Sequence, residues 1–156
     1  SLNPLCDVLF PTHLLIGGLL AFLLGFDPVL AVAGAAALDL IDKPLPRTGL
    51  VDTPHSVAHS GLAAAVVAAA GVLFPPLSAF ALGWASHTLL DVVHIVLNGR
   101  EGHWRFILWP FDFADDPMTK PPLEFFRHYI GTRSFYFEVA IWVSFVAWFG
   151  LTQLSG

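Results

Sequence analysis

The chain has 156 residues, 56% of them hydrophobic and only 12% charged, with a formal net charge of −5. An ordinary soluble domain carries roughly 25% charged residues, and so few charges could not cover the apolar surface of a soluble chain this size; with a mean hydropathy of +0.71, the chain reads as an integral membrane protein. The charges are spread rather than blocked, which argues against nucleic acid as a partner, and the single cysteine, Cys6, excludes an internal disulfide and any cysteine-rich zinc motif.

The opening SLNPLCDVLFP holds no basic residue, so no conventional secretory leader is expected. The first apolar stretch runs from about Thr12 to Phe26 and is stopped by Asp27-Pro28. The second runs from about Pro28 to Ile41, with proline suited to a first helical turn, and ends in DKPLPRTG. The third starts near Pro54 and reaches Phe74, where Pro75-Pro76 break it; the fourth runs from about Leu77 to Asn98 and closes at Gly99. A polar connection with Pro110, Pro117, Pro121 and Pro122 follows, then a fifth stretch from about Phe135 to Leu151. Crossing the hydrocarbon takes roughly 20 helical residues. The third and fourth stretches meet that length, while the first two suit tilted short spans or a re-entrant hairpin. Small-residue runs in GAAALD and GLAAAVVAAAG allow close helix packing in lipid, and five Trp and fourteen Phe suit the bilayer and its interface.

The expected fold is therefore all-α: a polytopic membrane helix bundle of about five hydrophobic helices, one domain over residues 1–156. Its motif-bearing part spans 11–111, a loop spans 99–134, and the C-terminal helix spans 135–151. Lys43 and Arg47 follow the second stretch, and Arg100, Arg105, Lys120, Arg127 and Arg133 lie between the fourth and fifth. Two crossings separate these basic loops, so both fall on one face, expected to be cytoplasmic. The N-terminus shares that face and the C-terminus lies opposite.

Polar residues collect at the same face. His13 opens the first helix, Asp39 and Asp42 close the second, His55 and His59 open the third, and His87, Asp91 and His94 occupy the near half of the fourth. The spacings are i, i+3 for the aspartates, i, i+4 for His55 and His59, and i, i+4, i+7 on the fourth helix, so each set shares a helical face. Histidine and carboxylate ligands suit zinc, with manganese or iron as alternatives, and one or two ions. Each residue alone has a plainer reading. Asp42 could pair with Lys43 or Arg47, His55 could sit at a helix start, and His94, His103 and His128 could be interfacial. His87 and Asp91 differ, because an ionisable group inside an apolar span costs about 2.5–3.5 kcal/mol and needs partners.

Read in order, PTHLLIGGLLA (11–21), LDLIDKP (38–44), HSVAHS (55–60), GWASHTLLDVVH (83–94) and ILWPF (107–111) resemble the YdjM-like, membrane-bound, metal-dependent hydrolases. Members of that family typically carry Asp-x-Asp-His-Pro after the second helix. Here the stretch is Asp39-Leu40-Ile41-Asp42-Lys43-Pro44. Asp42 matches the second Asp, Lys43 replaces the His, and Leu40 occupies the first position with Asp39 beside it. More distantly, the order His, Asp, His, His-x-x-x-Asp is similar to the zinc-dependent phospholipase C pattern. That likeness implies His13, Asp42, His59, His87 and Asp91 as metal ligands, His55 as an accessory, and Asp42 or Asp39 as the catalytic general base. The pattern's usual His-x-x-x-Glu has no counterpart here.

The expected activity is hydrolysis of a phosphoester by metal-activated water, on a lipid or lipid-linked substrate reached from the bilayer. Arg100, Arg105, Arg127 or Arg133 would bind phosphate. The loop GREGHWRFILWPFDF, with Arg100, Arg105 and Trp109, would lie over the site or anchor at the interface. Two other classes stand beside this one: a non-catalytic membrane protein with a structural metal, and a proton- or ion-relay protein. The apolar far half of every helix weighs against the relay.

Overall fold

A computed structural model describes residues 9–51, 55–99, 102–111, 126, 127 and 129–155. The described residues form helices and turns with no strand. The α-helices are α1 (Phe10–Leu24), α2 (Pro28–Asp42), α3 (Gly61–Leu73), α4 (Ser78–Leu97) and α5 (Arg133–Leu154). Short 3-10 turns at Leu45–Thr48, Pro75–Leu77 and His103–Leu108 connect them.

Local chemistry sets the helix ends. Gly25 closes α1 in the left-handed conformation at φ 76°, which glycine adopts without penalty. Two residues later Asp27 caps α2, its side chain accepting from the Val29 and Leu30 amides at 2.8 and 3.2 Å, with Pro28 in the first turn. Ser60 caps α3 by accepting from the Ala63 amide at 3.1 Å.

The third element departs from expectation. The helix begins at Gly61, not near Pro54, and runs for 13 residues. At 1.5 Å per residue that is about 20 Å, short of the roughly 30 Å hydrocarbon thickness. His55 and His59 therefore lie on a turn before α3, not one helical turn apart. The two helices long and apolar enough to cross a membrane are Pro75–Leu97, which includes α4, and α5 at 22 residues.

Helices α2 and α4 cross at the centre of the fold, and glycine makes the approach possible. A Cβ at Gly83 would stand 1.8 Å from the Ala31 carbonyl oxygen, and one at Gly34 would stand 2.0 Å from that of Phe80. Helix α1 packs on α2 through Gly17, where a Cβ would meet that of Ala35 at 3.1 Å. The buried apolar side chains are correspondingly small, with Ala21, Ala31 and Ala35 fully covered, while Leu38, Ala58 and Trp84 form a compact cluster beside the polar site. Large apolar side chains point outward instead, including Phe22, Val29, Val72, Leu73 and Val146. The interior at one end of the bundle is polar: His13, Asp42, His59, His87 and His94 are each no more than 2% exposed.

Candidate metal centre

Three helices and one turn build the site. His13 comes from the first turn of α1, Asp39 and Asp42 from the last turn of α2, His55 and His59 from the turn before α3, and His87, Asp91 and His94 from one face of α4. The α4 spacing behaves as the sequence reading expects, since all three of its residues are buried.

Asp42 organises the turn. One carboxylate oxygen accepts from the Ser56, Ala58 and His59 amides at 3.0 Å each, and from His59 Nδ1 at 2.8 Å. The other accepts from the Ala58 amide at 2.9 Å. The backbone of 56–59 thus wraps a carboxylate instead of continuing α3 toward its N-terminus. Because a carboxylate only accepts, His59 Nδ1 carries the proton and Nε2 presents its lone pair to the interior. Burial, and then the neighbouring His55, push the His59 imidazole below its ordinary value, partly offset by Asp42.

His87 is oriented the same way. Its Nδ1 donates to the Ala35 carbonyl at 2.6 Å, across the tight α2–α4 crossing, which turns Nε2 inward. Its ring stacks on His13 at 3.6 Å between centroids, with planes 9° apart. His13 Nε2 stands 3.3 Å from Asp91 Oδ1, and Asp91 Oδ2 stands 3.4 Å from His87 Nε2 and 3.6 Å from His59 Nε2. Asp39 Oδ1 lies 3.7 Å from His59 Nε2 and 3.9 Å from His87 Nε2, while Lys43 holds Asp39 Oδ2 at 2.6 Å.

These separations carry chemical information. His59 Nε2, Asp91 Oδ2 and His13 Nδ1 are buried without a hydrogen-bond partner, a condition that costs about 1–3 kcal/mol per group. Two ligand atoms at 2.0–2.1 Å from a tetrahedral ion stand about 3.3–3.4 Å apart, which matches the His13–Asp91 and His87–Asp91 spacings. Three overlapping trios offer ligand atoms within 4.8 Å of one another: His13, His87 and Asp91; Asp39, His59 and His87; and His55, His59 and Asp91. The donor set fits a divalent ion, and sharing of His59, His87 and Asp91 between trios suits more than one.

The structure brings together His13, Asp39, His55, His59, His87 and Asp91, and sets Asp42 behind them as the carboxylate that orients His59. Asp39, not Leu40, faces the cluster; Leu40 is 69% exposed. Lys43 pairs with Asp39 rather than with Asp42. From the loop after α4, Phe106 is buried with its ring 5.6 Å from His55 and 6.2 Å from His59, so this segment does pack on the site. Arg105 is exposed and Trp109 half-buried. Arg100 and His128 lie outside the described residues. Two further buried residues stand outside the expected ligand set. His94 has both ring nitrogens without a hydrogen-bond partner and its ring 5.5 Å from Phe137; its i+7 position from His87 was the available signal. Glu138 is 3% exposed; it is the one charged residue in the fifth apolar stretch, and no motif surrounds it.

No family model matches the chain, and no curated protein or solved structure matches it. The site is therefore read from its own geometry.

Proposed function

We propose that the chain is a membrane-embedded, metal-dependent hydrolase of the YdjM-like kind, acting on a phosphoester in a lipid or lipid-linked substrate. The observation that carries the metal reading is the buried, unpartnered pair His59 Nε2 and Asp91 Oδ2, 3.6 Å apart; a cation between them satisfies both. The inverted distribution of side chains, polar within one end and bulky apolar outside, supports a polytopic bundle in lipid. Placing the basic residues on the cytoplasmic side puts the N-terminus and the site there too.

His13, His55, His59, His87 and Asp91 would hold one or two divalent ions, with Asp39 beside them and zinc favoured by the histidine-rich set. A bound ion of this kind acidifies water and polarises a phosphoryl oxygen. The chain's own residues orient that chemistry. Asp42 fixes the His59 tautomer, and the Ala35 carbonyl fixes that of His87. Of the two aspartates considered as general base, Asp39 is better placed to move a proton, and in that role it stands at the edge of the ion site rather than as an obligatory ligand. Its Oδ1 faces the cluster and its Oδ2 is anchored by Lys43, whereas both oxygens of Asp42 accept from backbone amides. Arg105 and Trp109 stand on the segment that packs over His55, which suits contact with a substrate headgroup.

The test is phosphate or phosphoalcohol release from phospholipid vesicles by zinc- or manganese-loaded protein. Turnover that disappears in Asp39→Asn, with metal retained, supports the mechanism. One specific observation favours a structural ion instead: the ligand candidates other than His55 are at most 6% exposed, as in a closed site. Stoichiometric metal with no hydrolysis of any phosphoester would select that second reading.

A further inference from the structure

Glu138 lies on α5, yet its carboxylate serves α1. Leu9, the residue before α1, has no capping hydrogen bond from its own side chain. Glu138 Oε1 instead accepts from the Leu9 amide at 2.9 Å, from a position 129 residues away. The same oxygen accepts from the Tyr129 hydroxyl, and Oε2 accepts from the Thr12 hydroxyl. Thr12 in turn accepts from Trp142 Nε1 at 3.0 Å. Thr12, Tyr129 and Glu138 are all buried.

The charge logic follows from the donors. An amide and two hydroxyls fill three of the roughly four acceptor sites of a carboxylate, and the group stands at the N-terminal end of α1, where the helix dipole favours an acceptor. No cation lies within ion-pair distance of Glu138 among the described residues. Apart from this knot, α5 is loosely held. Only 6% of its most apolar window is buried, and its other polar ties, Asn98 Nδ2 to Ser134 Oγ at 2.6 Å and Arg133 Nη1 to the Leu97 carbonyl at 3.4 Å, lie at the same end. The knot therefore fixes the first turn of α1 from outside that helix. Thr12 is in it, and Thr12 is adjacent to His13, which reaches Asp91 at 3.3 Å and stacks on His87.

We propose that Glu138 is a positioning residue for the metal centre: it caps α1 from α5 and sets the rotation that aims His13 at Asp91 and His87. The inference rests on the metal reading above, and it assigns α5, which carries no candidate ligand, a role in that site.

The test combines two readouts on full-length protein in detergent: amide hydrogen exchange over residues 9–13 without metal, and cobalt(II) binding followed by its visible absorption. Glu138→Ala should speed exchange in the first turn of α1, weaken cobalt binding about tenfold and alter the band shape. Trp142→Phe, which removes one donor and keeps an aromatic ring, should move both readouts the same way by less, and serves if Glu138→Ala does not fold. Unchanged exchange in both variants would overturn the cap. Faster exchange with a wild-type cobalt spectrum and affinity would overturn the positioning role while leaving the cap. Failure of the wild type itself to bind cobalt would defeat the metal reading and the positioning role with it, and the exchange data would still report on the cap.

Discussion

His59 Nε2 and Asp91 Oδ2 lie 3.6 Å apart in the interior, and neither has a hydrogen-bond partner. Each would cost about 1–3 kcal/mol if left unmet, and a shared cation meets both. Asp91→Asn keeps the shape and removes the charge. Metal affinity should fall at least about a hundredfold, because Asp91 takes part in two of the three ligand trios. Competition against a chromophoric chelator measures this. Wild-type affinity in the variant would remove Asp91 from the ligand set.

Asp42 should behave differently from a ligand. Asp42→Ala leaves the Ser56, Ala58 and His59 amides without their acceptor, a loss of about 3 kcal/mol or more. Thermal unfolding in detergent should drop by several degrees even in metal-free protein. Asp42→Asn should fold better yet lose about 10–100-fold in metal affinity, through the His59 tautomer. An Asp42→Ala protein with wild-type thermal stability would contradict the assigned role.

The close crossing of α2 and α4 links packing to the site. A methyl at Gly83 meets the Ala31 carbonyl oxygen at 1.8 Å, so the helices must separate. His87 Nδ1 reaches the Ala35 carbonyl one turn further along α2. Gly83→Ala should therefore cost about 1–3 kcal/mol in stability and weaken metal binding as well, although residue 83 has no side chain that could act as a ligand. A Gly83→Ala protein as stable as wild type would show that the two backbones are not this close.

Lys43 is 46% exposed and holds the outer oxygen of Asp39. The side chain of its partner Asp39 is only 8% exposed, so the pair is part-buried and its loss leaves a buried acceptor unmet. Lys43→Met should cost about 1–3 kcal/mol of stability and change metal affinity by less than about fivefold. A much larger loss of metal, read in the same chelator assay, would make Lys43 essential to the orientation of Asp39.

Much of the scaffold was legible in residue chemistry. Pro28 after Asp27 and the Pro75-Pro76 pair marked helix boundaries that the structure reproduces within a few residues, and the i, i+4, i+7 series on α4 does share one buried face. The helical spacing of His55 and His59 suggests a longer third helix than the structure has. Spacing does not reveal that the intervening amides turn toward a carboxylate 14 to 17 residues earlier. Ser60 before Gly61 was the local sign of the true start, a capping residue ahead of an alanine-rich run. Asp39 could be placed at the site only once the phase of α2 was known. Glu138 acts across 126 to 129 residues of sequence, a relationship that neither periodicity nor motif order encodes.

The most direct measurement is elemental analysis of detergent-purified protein, with a His59→Ala, His87→Ala double variant purified beside it. One or two equivalents of a divalent transition metal in the wild type, lost in the double variant at unchanged helicity, is the predicted result. No metal in the wild type, even after incubation with zinc, manganese or iron, would contradict the assignment and leave the buried histidines and aspartates as a polar core without an ion.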